Sequence, residues 1–119
     1  VVLAALSDLP GGAELMMTDN GWTEGGGFGT TEGTRKLVVP PGGIAAGAVF
    51  GLGGDPPLPL SDSWEGVSGT FALSTSSDEI HLYCLDLDSM GNPAVPYHVS
   101  ALTYAPSGWT GGAPPRDLP

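Results

Sequence analysis

The segment AELMMTDNGWTEGGGFGTTEGTRKLVV, from Ala13 to Val39, decides the fold because it reads as strand, glycine-rich excursion and strand. Its first strand ends in the polar turn Thr18-Asp19-Asn20-Gly21. Asn-Gly is the dipeptide that most readily adopts positive φ, so we expect the chain to reverse at Asn20-Gly21. Trp22 follows at once and supplies a large apolar side chain that can hold the excursion against the sheet.

Short β-rich runs recur on both sides of this segment, between clusters of glycine and proline. With 20 glycines and 12 prolines the chain is poorly suited to helices, and no window has the spacing of an amphipathic helix. Residues 53–69 hold several prolines and little periodicity, so they are predicted to form a surface loop. Seven strands are predicted: Val1–Leu6, Ala13–Thr18, Thr34–Val39, Ala48–Leu52, Thr70–Leu73, Glu79–Leu85 and Tyr97–Tyr104. Seven short strands without a covering helix indicate an all-β fold, an antiparallel β-sandwich over residues 1–109 with an extended Gly/Pro-rich tail at 110–119.

The charge balance excludes several classes of partner. Thirteen acidic residues stand against three lysines and arginines, for a formal net charge of −10. Nucleic acids and anionic membranes both attract clustered basic residues, so neither is an expected partner. No apolar run approaches the ~20 residues that span a bilayer. The chain begins at Val1, so we expect that a signal peptide or earlier segment was removed and that the protein is secreted.

Candidate chemical sites are few. The sequence contains no nucleophile elbow and no phosphate-binding loop ahead of a helix, so we expect neither an enzyme nor a cofactor. Asp86, Asp88 and Asn92 have oxygen ligands spaced somewhat like those of a calcium loop, but the closing Glu is missing. A calcium site and a polar hairpin turn both remain open there.

Aromatic and histidine side chains supply the remaining candidates. The loop aromatics are expected to cap the core or to form subunit contacts: Trp22, Phe28, Trp64 and Trp109. The alternative is a platform for glycans formed by the three tryptophans and Tyr104. Along Glu79–Leu85, residues Ile80, Leu82 and Cys84 alternate with His81 and Tyr83. We expect His81 and His98 on an exposed face, since two imidazoles do not complete a structural zinc site.

Several segments together resemble a family of secreted bacterial and algal β-domains, sometimes labelled lamin-tail-like. The resemblance covers most of the chain in the right order. It rests on LSDLPGGAELMMTDNGW (Leu6–Trp22), TEGT (Thr31–Thr34), VPPGGIAAGAV (Val39–Val49), LSTSSDEIHLYCLD (Leu73–Asp86) and ALTYAPSGW (Ala101–Trp109). It implies a β-sandwich of immunoglobulin-like, lamin-tail-like or jelly-roll topology without a catalytic motif.

Similar domains resemble building blocks of extracellular fibrils, in which a terminal strand of one subunit completes its neighbour. The family pattern has a further strand ahead of the one that matches Val1–Leu6, and here it is absent. A sheet short of one strand leaves backbone groups unpaired, which invites strand addition from another copy. We therefore expect a structural subunit of an extracellular homopolymer, joined head-to-tail through Val1, Val2, Leu3, Ala4, Ala5 and Leu6. The alternatives are a closed monomer and a monomeric carbohydrate-binding or adhesive surface module that uses the tryptophans.

Overall fold

The computed structural model describes residues 1–23, 27–87, 93–104, 106 and 108–109, with the backbone alone for 85–87 and 93–98. These residues form seven strands and a short 3₁₀ turn at Ser61–Ser63, and no α-helix occurs among them. The strands are β1 Val2–Ala4, β2 Glu14–Thr18, β3 Thr34–Val38, β4 Val49–Gly51, β5 Trp64–Ser68, β6 Glu79–Leu87 and β7 Pro93–Thr103. They lie in two antiparallel sheets, of order β1-β4 and β5-β3-β2-β6-β7. The predicted all-β class is confirmed, and the two sheets are compatible with a β-sandwich.

Six of the seven strands occupy predicted positions, and one prediction is wrong. Thr70–Leu73 forms no strand, whereas β5 runs through the end of the segment predicted as a loop. The 3₁₀ turn lets Trp64 enter the sheet with its side chain buried, and Gly69, at φ +57°, ends the strand. The turn predicted at 86–96 is also shorter, because β6 extends to Leu87 and β7 begins at Pro93.

The chain divides into two compact units. The first consists of residues 1–15 and 36–65, and the second consists of residues 16–35 and the described residues from 66 onward. In the first unit β1 pairs with β4, with Leu3 opposite Phe50. The buried side chains Leu37, Val39, Ile44, Phe50 and Trp64 form its core. The Trp64 indole N–H donates to the Gly51 carbonyl at 3.1 Å, which satisfies the one polar atom of this side chain.

In the second unit β6 pairs with both β2 and β7. The described register places Thr18 and Ala101 on either side of His81. Because side chains alternate along a strand, Glu79, His81 and Tyr83 share one face of β6, and all three are buried.

The predicted turn at Thr18-Asn20 is a buried polar cluster. Neither Asn20 nor Gly21 has positive φ, so the expected positive-φ geometry is wrong, although the chain does bend at Asn20. Instead the Thr18 hydroxyl donates to the Gly33 carbonyl at 2.7 Å, and the Asn20 amide oxygen accepts from the Glu32 N–H at 2.8 Å. The polar residues are buried because their partners lie on a distant loop that covers them.

Asp19 joins three segments of the second unit through its carboxylate. Oδ1 accepts from the Gly33 N–H and Oδ2 from the Ala72 N–H, each at 2.9 Å, and the side chain is 1% exposed. Gly33 permits this approach, because a Cβ there would overlap the backbone of Thr70 and Phe71. Hydrogen bonds to an ionised acceptor are stronger than neutral ones, so this carboxylate sets how the loops meet the end of β2.

We predict that Asp19→Ala lowers the free energy of unfolding by roughly 2–4 kcal/mol, because two buried N–H groups lose their acceptor. Asp19→Asn should have a smaller effect, since the amide keeps one acceptor oxygen. Urea unfolding followed by tryptophan fluorescence measures both. Asp62→Ala, at an exposed aspartate of the 3₁₀ turn, is the control and should stay within about 0.5 kcal/mol of the parent chain. A similarly small effect of Asp19→Ala would contradict the assignment.

Candidate functional site

The predicted contact strand Val1–Leu6 lies in the first unit, where its own chain already pairs it. β1 lies beside β4, and the Val1 amine donates to the Leu52 carbonyl at 2.7 Å. The segment is therefore neither a fully buried strand nor an unpaired arm. Ala5 is buried, whereas Val2 is 66% and Leu6 97% exposed. Their exposure leaves apolar side chains of the segment open to solvent.

One edge of β1 carries no partner strand among the described residues, since the sheet contains β1 and β4 alone. Val1 and Ala5 form backbone hydrogen bonds toward the β4 side. Because bonding directions alternate in an antiparallel pair, the backbone groups of Val2 and Ala4 point to the opposite, open edge. We call this surface, formed by Val2, Ala4 and Leu6, the N-terminal edge.

Side chains on both strands extend the N-terminal edge into an apolar face. Ala4 pairs with Val49, so the two side chains lie on the same side of the two-stranded sheet, and Val49 is 50% exposed. Neither Val1–Leu6 nor Ala48–Leu52 contains a charged side chain. A two-stranded sheet is only marginally stable on its own. An apolar edge without charged side chains readily pairs with a further strand.

Three of the four predicted contact aromatics meet in the second unit. Trp22 contacts Phe28 edge-on with ring centroids 5.0 Å apart, and the two residues also form an isolated β-bridge. Both residues belong to the glycine-rich excursion, so this contact joins two parts of the excursion to each other, and a described contact with the sheet is made by Phe28. The ring centroids of Phe28 and Tyr83 are 4.7 Å apart, and those of Trp109 and His81 are 5.5 Å apart. Trp64 belongs to the first unit and is 4% exposed, so it offers no open face.

Sequence reasoning placed His81 on the wrong face. The imidazole is fully buried, whereas Ile80, Leu82 and Cys84 are half-buried on the other face of β6. His81 shares its interior with Glu79, and Nε2 and Oε2 of the two side chains are 3.8 Å apart. The pattern Glu79-x-His81-x-Tyr83 was the available signal, because its period of two places all three side chains together. The side chain of His98 lies outside the described residues.

Three carboxylates from separate segments converge in the second unit. Oxygens of Asp19, Glu32 and Asp78 lie within 4.8 Å of one another. Asp19 binds two backbone N–H groups, and Asp78 accepts from the Ser74 and Glu79 N–H groups, so backbone contacts account for two of the three. The cluster alone does not indicate a metal. The calcium candidate Asp86, Asp88 and Asn92 lies outside the described residues, apart from the backbone of Asp86.

Burial and three neighbouring carboxylates change the pKa of Glu32. Partial burial raises the pKa of its carboxyl above the ordinary value, and the negative charges of Asp19, Asp78 and Glu79 raise it further. The folded chain therefore holds a proton at Glu32 more tightly than the unfolded chain does. Its contribution to stability falls as pH rises above 4.5 and the group ionises.

Comparison with known protein families, curated proteins and solved structures finds no match for this chain. The resemblance to the lamin-tail-like family therefore stays a prediction. No helix in the described part of the chain is long and apolar enough to cross a membrane.

We predict that Glu32→Gln stabilises the protein at about pH 7 by up to roughly 0.5 kcal/mol, a small gain because solvent screens the partly exposed charges. The gain should vanish near pH 3, where Glu32 is protonated in both states. Thermal unfolding across this pH range measures it, with Glu65→Gln on β5 as the matched control. A gain that persists unchanged at acid pH would show that charge repulsion is not its cause.

Proposed function

We propose that this protein is a structural, non-enzymatic subunit of an extracellular filament, in which each copy adds a β-strand to the N-terminal edge of its neighbour. One observation carries the proposal. The smaller sheet has only two strands, and its N-terminal edge combines outward backbone groups with exposed Val2 and Leu6. Strand addition satisfies the backbone groups and buries the apolar side chains in one step.

Physical chemistry favours a neighbouring copy as the partner. The N-terminal edge has no charged side chain that would lose its water on contact with an equally uncharged edge of a second copy. Because β1 is already paired with β4, the neighbour extends the sheet and does not replace β1. The interaction therefore leaves the fold of each subunit intact.

The symmetry of the contact decides between a filament and a dimer. If β1 of one copy pairs with β1 of another, the interface is two-fold and closes. If the added strand comes from a different edge, the contact is head-to-tail and continues into a polymer. β7 and β5 are the terminal strands of the larger sheet and are candidates for that second edge. The extracellular location follows the sequence resemblance and remains part of the proposal.

The alternative of a glycan-binding surface module is less well supported. Burial of Trp64 removes it from any sugar platform, and its indole N–H is already bonded to Gly51. Such a platform would have to use Trp22 and Trp109, both half-buried in the second unit. A monomer whose tryptophan fluorescence responds to glycans, with the response lost in Trp22→Ala, would favour this alternative.

We predict that the parent chain forms regular fibres in negative-stain micrographs and that Val2→Lys leaves dispersed particles. A charge on an open strand edge opposes pairing, because it would have to lose water in the interface. Val2 is largely exposed, so the free energy of unfolding of the subunit should stay within about 0.5 kcal/mol of the parent value. Sedimentation velocity and urea unfolding measure the two effects separately.

Val67→Lys tests β5 as the second edge, because Val67 is 51% exposed and lies on β5 at an edge of the larger sheet. Loss of fibres in both variants would indicate that β5 pairs with the N-terminal edge. If fibres survive Val67→Lys and vanish in Val2→Lys, the N-terminal edge takes the added strand. Loss of fibres in Val67→Lys alone would move the contact to the larger sheet. A parent chain that stays monomeric at high concentration would end the proposal.

A further inference from the structure

We propose that Glu79 and His81 form a proton-dependent latch inside the second unit, in which the imidazolium form of His81 neutralises the Glu79 carboxylate and holds Trp109 against β6. The two side chains lie on one face of β6, two residues apart, with Nε2 and Oε2 separated by 3.8 Å. This inference concerns the interior of one copy and does not depend on filament assembly.

The environment of Glu79 requires a compensating charge. The residue is 3% exposed, and neither carboxylate oxygen accepts a hydrogen bond in the described structure. An ionised carboxylate buried without a counter-charge or donor is strongly unfavourable. A separation of 3.8 Å is too long for a hydrogen bond but is suited to an ion pair, and a small rotation would convert one into the other.

Among the side chains that the structure describes, the other groups that face this pair supply no positive charge. β7 also places His98 opposite Tyr83, and its side chain lies outside the described residues. β2 places Thr18 opposite His81, and β7 places Ala101 opposite His81 and Thr103 opposite Glu79. The loop before β3 brings Glu32, whose pKa is raised by burial and then by the charges of Asp19, Asp78 and Glu79. Asp78, immediately before β6, adds negative charge. On β6 itself, burial raises the pKa of Tyr83, so its hydroxyl stays neutral.

Basic side chains are scarce throughout the protein. The chain has three lysines and arginines, and the described ion pair formed by one of them joins Lys36 to Glu14. Within the described residues, the basic side chain that lies next to the Glu79 carboxylate is that of His81. Its proton is therefore the charge that balances the buried carboxylate.

Two aromatic rings lie within the distance range of cation–π attraction to His81. The Phe28 ring centroid lies 5.2 Å and the Trp109 centroid 5.5 Å from that of His81. A cation within about 6 Å of an aromatic ring is attracted by the negative face of the ring, most strongly by tryptophan. Protonated His81 therefore strengthens the contact that attaches the segment after β7 to the sheet.

The direction in which the latch responds to pH follows from the charge on His81. As pH rises and His81 loses its proton, Glu79 loses its counter-charge and the attraction to Trp109 weakens. The latch therefore opens on the alkaline side of the His81 titration. The latch is closed on the acid side of the His81 titration, where the imidazole carries its proton.

The test follows the imidazole nitrogens of His81 and the indole N–H of Trp109 by ¹⁵N NMR from about pH 5 to about pH 9. Solution spectra suit dispersed protein, and solid-state spectra suit fibres. His98→Gln assigns the imidazole signals, and Trp109→Phe assigns the indole signal. The expected result is that His81 is imidazolium at neutral pH and that the Trp109 signal moves over the pH range in which His81 deprotonates.

Glu79→Gln should weaken proton binding at His81 about tenfold or more, because the adjacent negative charge is gone. Glu65→Gln, at an exposed glutamate of β5, should leave the titration unchanged. The proposal is overturned by a neutral His81 at about pH 6 in the parent chain, by a Trp109 signal indifferent to the His81 titration, or by a Glu79→Gln titration like the parent's. If Glu79→Gln fails to fold, the parent-chain titration and its coupling to Trp109 still decide.

Discussion

The rest of the second unit depends on one buried carboxylate, that of Asp19. Its two oxygens bind backbone N–H groups at Gly33 and Ala72, so a single side chain holds the end of β2, the start of β3 and the loop before β6. The neighbouring residues Thr18 and Asn20 add bonds to the same loop. Because β2 lies at the centre of the larger sheet, this polar cluster anchors the loops to its middle strand. A mostly apolar core alone would not specify that placement.

The fold class could be predicted from the sequence because it depends on local signals. Clusters of glycine and proline interrupt strands, so most strand positions can be predicted from where these clusters lie in the sequence. β5 was missed because prolines dominate its surroundings, and nothing local shows that Trp64 enters the core. The Thr18–Asn20 segment looked like a surface turn because its partners at Glu32, Gly33 and Ala72 are remote in sequence. Non-local hydrogen bonds leave no periodic pattern.

The sites were predictable to different extents for the same reason. The apolar character of Val1–Leu6 is a local property, so the sequence predicted a strand there, but its pairing with β4 depends on residues near position 50. Alternation along β6 correctly separated His81 from Ile80, yet it could not say which face is interior. Hydrophobicity favoured the face of Ile80, Leu82 and Cys84. Phe28 and Trp109, from distant parts of the chain, cover the other face and bury the histidine instead.

The division of the chain into its two units affects how the protein folds during synthesis. Neither unit is a continuous stretch of chain, since each is assembled from an early and a later segment. The Val1 amine bonds to a carbonyl 51 residues away, and the Asp19 carboxylate to an N–H 53 residues away. Contacts of such separation slow folding because large loops must close first. During synthesis, the Asp19 carboxylate therefore lacks one of its two N–H partners until Ala72 has left the ribosome.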